Sequence, residues 1–341
     1  MPPSQDWFRS INNPFKAFRI HSEDGRRVEA RLEEITLDDL GDGEVVIRGA
    51  YSSINYKDAL AATGAGRILR RFPLVGGVDV AGTVISSTDP RVAEGDEVIV
   101  NGCGLSETHD GGFAEYVRVP GEWTTPMPAG VDARMAMGLG TAGFTAALAI
   151  HRMEQNDQVP ELGPIVVNGA TGGVGSVAID LLSQRGYEVT ALTSKTTATE
   201  YLKGLGATEV LNFKELELGE RPLEKVIWGG AIDNLGGDIL GWFTRTTKPN
   251  GNIASIGLAA GIDLSTTVMP FILRGISLLG INSVEVSREL RIAVWNRIAG
   301  DLAPAHLDQI VNREIELADL SRYFSDYIDG TVMGRTIVRL S

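Results

Sequence analysis

Four glycines between Gly169 and Gly175 are the residues of this chain best placed to do chemistry. They lie in Pro164–Gly175, PIVVNGATGGVG, where a short apolar run breaks into a glycine-rich turn and then into an amphipathic helix, SVAIDLLSQRG. Lacking Cβ atoms, Gly169, Gly172, Gly173 and Gly175 let the backbone turn tightly, approach a pyrophosphate and bring helix against strand, with free helix N–H groups facing the phosphates. A second strand, YEVTALT at Tyr187–Thr193, follows at the distance of a βαβ unit, the context that a dinucleotide site requires. NAD sites usually place a carboxylate about 20 residues past the glycines to hold the ribose 2′-hydroxyl. Here Ser194 and Lys195 stand at that place and no acid occurs before Glu200. A hydroxyl and an ammonium where a 2′-phosphate would lie favour NADPH over NADH, against the plainer reading of a solvated loop lysine.

Such a turn needs a sheet to carry it. IVVNG, EVTALT, TEVLNF, GAIDN, NIASIGL and ISLLGIN are strand candidates separated mostly by helical patterns, which predicts a doubly wound parallel sheet. Upstream, residues 15 to about 130 read as all-β: FKAFRIH, VEARLEEI, EVVIRGAYSSI, VDVAGTVIS, DEVIVNG and FAEYVRV are short runs between Gly, Pro and Asp turns, the pattern of a small barrel. From Asp132 to His151 the pattern is helical, with Asp132 as N-cap. The tail predicts a helix at ELRIAVWNRIAG, another at LADLSRYFSDYID and a closing strand at GRTIVRL.

Composition narrows the classes. The 341 residues, 43% hydrophobic, suffice for two cores. A net charge of −13 argues against nucleic acid or an anionic membrane as partner. The stretch Met135–Ile150, broken by Gly138, Gly140 and Gly143, is too short to cross a bilayer, and MPPSQDWFRSINNP reads as a short extension and not a signal peptide. The cytoplasm is the expected compartment. One cysteine, Cys103, and four scattered histidines leave no basis for a structural or catalytic zinc. Within this acidic chain GRILRRFP is a basic run, Arg67, Arg70 and Arg71, which by itself reads as a solvated face.

Together the segments SSINYKDALAATG, GGVDVAGTV, GDEVIVNGCG, GGFAEYVRVP, GTAGFTAALAI, NGATGGVG, EYLKGLGA, TTVMPFILRGISLLGINS and GRTIVRL carry a resemblance over nearly the whole chain. The sequence resembles a zinc-independent medium-chain dehydrogenase/reductase, specifically the acrylyl-CoA reductase group. Zinc alcohol dehydrogenases of that superfamily have a His-Glu pair after the glycine of the segment matching GGVDVAG; here Val78 and Asp79 stand there. The resemblance implies a GroES-like β-barrel catalytic domain at 1–135 and 287–341, a Rossmann NADPH-binding domain at 136–286, and a homodimer.

It also implies a reaction: hydride transfer from NADPH to the β-carbon of an α,β-unsaturated acyl-CoA, then protonation of the α-carbon. Negative charge then gathers on the thioester oxygen and needs a donor. Asn55, Tyr56 and Asp58 in INYKDAL are the polar residues expected at that centre, Tyr56 foremost as catalytic residue and ribose contact, with Asp58 holding its helix. Relatives with a tyrosine about ten residues further on have no counterpart here, since that region reads GAGRIL. The family pattern places Thr171, Gly172, Gly173 and Val174 at the pyrophosphate and Ser194 with Lys195 at the 2′-phosphate. Gly257 and Leu258, with Ile272 and Ser283, fall near the nicotinamide. The arginine run becomes a candidate for the CoA phosphates, and Arg335 for an anion, a surface arginine being the alternative. Two other functions fit the same residues: an NADPH-dependent quinone or enone reductase, and a cofactor-binding protein with little turnover.

Overall fold

A computed structural model describes residues 13–25 and 27–341; most of the expected N-terminal extension, residues 1–12, lies outside the described residues. The chain divides into two compact units, residues 1–141, 284–292 and 311–341 in the first and 142–283 with 293–310 in the second.

The first unit begins with β1 (Phe15–His21) and β2 (Glu29–Ile35), then β3 (Val45–Ile54), α1 (Tyr56–Thr63), β4 (Leu74–Val75), β5 (Asp79–Ser87), β6 (Glu97–Asn101), β7 (Tyr116–Val119) and β8 (Thr125–Pro126). Their inward residues, among them Phe18, Ile47, Val80, Val100 and Phe113, form one buried cluster. Period-2 alternation is what puts those side chains on one face. FAEYVRV forms a strand only from Tyr116, because Phe113 N–H bonds to Gly76 and Phe113 C=O to Phe18, outside the ladder.

Asp132 caps the next helix, α2 (Ala133–Gln155), its carboxylate accepting the Met135 N–H at 2.7 Å. Gly140 breaks the helix at φ 53°, ψ −155°, and the division between the units follows Thr141. The helix outruns the expected stretch. Among the described residues it is the one helix long and apolar enough to cross a membrane, with 78% of its apolar stretch buried inside the protein.

In the second unit β9 (Ile165–Asn168) leads into α3 (Gly173–Gln184), followed by β10 (Val189–Thr193), α4 (Thr199–Gly204), β11 (Glu209–Asn212), β12 (Trp228–Asp233), α5 (Gly237–Thr246), β13 (Thr247–Ser255), α6 (Met269–Arg274) and β14 (Ser277–Gly280). The six strands are all parallel, in the order β11-β10-β9-β12-β13-β14. That is the doubly wound order, whose reversal between β9 and β12 opens a crevice at the carboxyl ends of those strands.

The chain then enters α7 (Arg288–Ile298), within which the division falls after Ile292, and α8 (Leu307–Ile310). The expected single return to the barrel at residue 287 is therefore interrupted. Residues 293–310 belong to the second unit because Trp295 is fully buried and stacks on Phe144 at 6.2 Å, Arg297 pairs with Glu154 at 2.7 Å, and His306 meets the buried Asp180 at 2.9 Å. The chain closes with β15 (Val311–Glu316), α9 (Phe324–Ile328) and β16 (Arg335–Arg339), completing a seven-stranded sheet in which β16 joins β15 to β3. LADLSRYFSDYID is not one helix. It is a 3₁₀ segment, Leu317–Arg322, and the five-residue α9, which meet at Tyr323, where φ is −113°.

Candidate functional site

The glycine-rich turn lies at the carboxyl end of β9. Gly169 takes φ +57°, and a Cβ on Gly175 would stand 2.4 Å from the Gly169 carbonyl, so the helix reaches the strand only because both are glycines. Gly172 is the N-cap of the twelve-residue α3, with Gly173 and Val174 in its first turn. The first-turn N–H groups of a helix carry positive dipole and take no intrahelical partner. β10 runs parallel to β9 and ends at Thr193; Ser194 and Lys195 follow, with the Lys195 N–H bonded to Thr193 Oγ1 at 3.1 Å. Burial pushes the Lys195 ammonium below its usual range, a cost that a phosphate partner would offset. The donor turn and the cationic loop have the chemistry to hold a phosphorylated dinucleotide.

In the first unit, β3 delivers Asn55 and Tyr56 to the start of α1. Asn55 is the N-cap, and the Asp58 carboxylate reaches back to its N–H at 2.8 Å, closing a capping box. Asp58 also accepts the Val78 N–H at 3.0 Å. Burial, with Asp79 nearby, pushes its carboxyl up to about 7.

Asn55 has both ends of its amide engaged: Nδ2 donates to Asp79 Oδ2 at 2.6 Å, and Oδ1 accepts from Arg335 Nη1 at 3.0 Å. Both ends of the side chain that the sequence puts at the reacting centre are thus held by neighbours in the first unit. Asp79 further accepts the Thr141 N–H at 2.9 Å, the Thr141 hydroxyl at 2.6 Å and the Ser53 hydroxyl at 2.7 Å. Arg335, read in sequence as an anion anchor or a surface arginine, is neither. It is 2% exposed and donates to Gly138 O, Ile54 O and Ser53 Oγ, besides Asn55. Gly140 presses onto this cluster so closely that a Cβ there would lie 2.6 Å from Arg335, Asp79 and Ser53 atoms alike.

Tyr56 differs from its neighbours. It is 46% exposed, and its hydroxyl has no hydrogen-bond partner among the described residues. Leu258 and Ile272 are also exposed, at 66% and 73%, so Ile272 is not core; Ser283 is buried. Of the arginine run, Arg71 is held by the Thr108 carbonyl at 3.2 Å and by Asp110 at 3.7 Å. Arg67 and Arg70 are exposed, with no ion-pair partner among the described residues.

Family models match in two blocks, "Alcohol dehydrogenase GroES-like domain" at residues 41–129 and "Zinc-binding dehydrogenase" at residues 173–299. The chain is 46% identical to the Bacillus subtilis protein named "Putative quinone oxidoreductase YhfP", covering 92% of this chain and 95% of that one. The crystal structure of YhfP with NAD bound superposes with a TM-score of 0.93, covering 96% and 100% of the two chains at 44% identity. Acrylyl-CoA reductase AcuI of Ruegeria pomeroyi is 42% identical, covering 93% and 96%. The yhdH oxidoreductase of Salmonella enterica in complex with NADP has a TM-score of 0.92 at 42% identity, covering 96% and 100%. The chain belongs to the medium-chain dehydrogenase/reductase superfamily. Within it, it falls in the group that holds AcuI and YhfP, and it is an oxidoreductase.

Its medium-chain fold pairs a GroES-like barrel with a Rossmann sheet. Among the described residues there is no group of three or more His, Cys, Asp or Glu side chains placed to hold a metal ion. What sequence reasoning missed in this dehydrogenase/reductase is the buried cluster of Ser53, Asp79, Thr141 and Arg335. One signal was available: Asp79 is a lone charge inside the apolar run GGVDVAG, and a charge there requires a buried partner.

Proposed function

We propose that this reductase acts on the C=C bond of an α,β-unsaturated acyl-CoA, most simply acryloyl-CoA to propanoyl-CoA, in the cytoplasm, with NADPH as cofactor. The identity to AcuI supports the chemistry, and the Ser194–Lys195 pair supports NADPH. The observation that carries the CoA part is the pair Arg67 and Arg70. These exposed guanidiniums lie just after α1 in a chain of net charge −13. Phosphates of a nucleotide carrier are the anions they suit.

NADPH, when bound, supplies the hydride that reaches the β-carbon. The protein must then stabilise negative charge on the thioester oxygen and deliver a proton to the α-carbon. Tyr56, at the amino end of α1 with a hydroxyl free to donate, takes the first task in this reading and is the candidate for the second. Asn55, Asp79 and Arg335 fix the turn from which Tyr56 projects. Leu258, Ile272 and Ser283 line the nicotinamide side in the same reading.

A quinone reductase is the second reading, supported by the identity to YhfP, and NADPH oxidation with acryloyl-CoA and with a small uncharged quinone separates the two. The double variant Arg67→Gln/Arg70→Gln should raise KM for acryloyl-CoA about tenfold at low salt, less at high salt, and leave the quinone unchanged. Arg71→Gln, which loosens the loop from Thr108, should affect both substrates alike. Turnover of the quinone alone would overturn the acyl-CoA reading, and turnover of neither would favour a binding protein.

A second copy of this chain is the partner we propose. β14 is an edge strand of the parallel sheet, and Ile262, Val268 and Leu273 are exposed apolar residues in the segment that precedes it. Light scattering should return twice the chain mass; a monomer at micromolar concentration would overturn this.

A further inference from the structure

The two phosphate-binding segments of the second unit are joined by a line of hydroxyls. Ser194 and Lys195 leave β10 and pass through a 3₁₀ turn, Thr196–Ala198, into α4, which carries Tyr201. The Tyr201 hydroxyl donates to Ser176 Oγ at 3.0 Å. Ser176, fully buried near the start of α3, donates in turn to the Ala170 carbonyl at 3.3 Å, inside the glycine-rich turn. In a trans peptide the carbonyl and the next N–H point opposite ways. A carbonyl of Ala170 drawn inward onto Ser176 therefore turns the Thr171 N–H outward, toward the place where a pyrophosphate would lie. That N–H has no acceptor among the described residues. Burial raises the Tyr201 phenol above its usual range, so it remains a donor. Ala198, Leu202 and Leu205 are buried on the same segment, so its packing does not depend on the Tyr201 hydroxyl.

We propose that Tyr201 is a positioning residue for the cofactor: its hydroxyl ties the loop bearing Ser194 and Lys195 to the turn bearing Thr171–Val174, and so fixes the spacing between the 2′-phosphate and pyrophosphate sites. This rests on the NADPH reading above. A ligand that touches one site is indifferent to that spacing, whereas a ligand that spans both depends on it.

Binding measured directly, by calorimetry or NMR, tests the strut without turnover. Tyr201→Phe removes one oxygen and keeps the packing. It should weaken NADPH about 5- to 10-fold and leave adenosine 2′-monophosphate within about twofold of wild type. Ser176→Ala should do the same, and the double variant should be no worse than either single one, because both break one line of bonds. Lys195→Ala should weaken NADPH and adenosine 2′-monophosphate together whether or not the strut exists, which tests the cofactor reading separately. Equal losses on both ligands in Tyr201→Phe, no loss on NADPH, or multiplicative effects in the double variant would overturn the strut alone. Wild-type protein that binds neither NADPH nor NADH would overturn the cofactor reading and the strut with it.

Discussion

Asp79→Ala should destabilise the first unit by about 3–5 kcal/mol, the loss expected when one member of a buried charge pair is removed and the other stays behind. Arg335 would be the charge left behind, with Nη2 3.9 Å from Asp79 and bridged to it by the Ser53 hydroxyl. Thr141 N–H, the Thr141 hydroxyl and Asn55 Nδ2 would each lose their bond to the Asp79 carboxylate at the same stroke. Asp79→Asn keeps the volume but presents an NH₂ group to donors, so it should recover only part of the loss. Urea unfolding of wild type and both variants, followed by tryptophan fluorescence, reads the effect. A shift below about 1 kcal/mol would mean that the network is kept for geometry and not for stability.

The second large effect is a pH dependence centred on Asp58. Its folded pKa, about 7, lies above the ordinary value of 3.8 because the carboxyl is buried and close to Asp79. Between those two values the folded protein binds the proton more tightly than the unfolded chain does. Stability from this group is therefore fully present below about pH 4 and is lost as pH rises toward and through 7. At about 1.4 kcal/mol per unit the full loss is on the order of 4 kcal/mol. Asp58→Asn should flatten this slope, although the amide satisfies fewer of the N–H groups of Asn55 and Val78 and lowers stability at acid pH. Unfolding midpoints measured at pH 5.5 and 8.0 decide it. Parallel profiles for wild type and variant would show that Asp58 does not titrate in this range.

What the sequence disclosed follows from how local each signal is. The glycine turn, the six parallel strands and the cap at Asp132 are read from neighbouring residues, and the structure has them. Gly140 could be named as a helix breaker but not as the point where the helix meets Asp79, since the bond of its neighbour Thr141 to Asp79 spans 62 positions. Arg335 reads as an anion anchor or a surface arginine because nothing within ten residues of it hints at Ser53, 282 positions away. The division within α7 escaped for the same reason: Trp295 belongs with Phe144, and only packing could say so. Tyr56 was placed rightly at a helix start, whereas the exhaustion of Asn55 by internal partners depends on three chain segments meeting.

The pairing of β16 with β3 also sets an order of events during synthesis. Ser52, Ser53 and Ile54 wait for Val338, Ile337 and Thr336 before their edge is covered. While the ribosome makes the intervening chain, the barrel has an open strand and Asp79 lacks its counter-charge. The strands of the parallel sheet, by contrast, emerge consecutively between Ile165 and Gly280 and can pair as they appear. Domains generally fold as units during translation, and a nascent barrel with an unpaired edge is exposed to aggregation. The nucleotide-binding half is thus the natural first folder, and the half that carries Tyr56 is finished only once β16 has emerged to pair with β3.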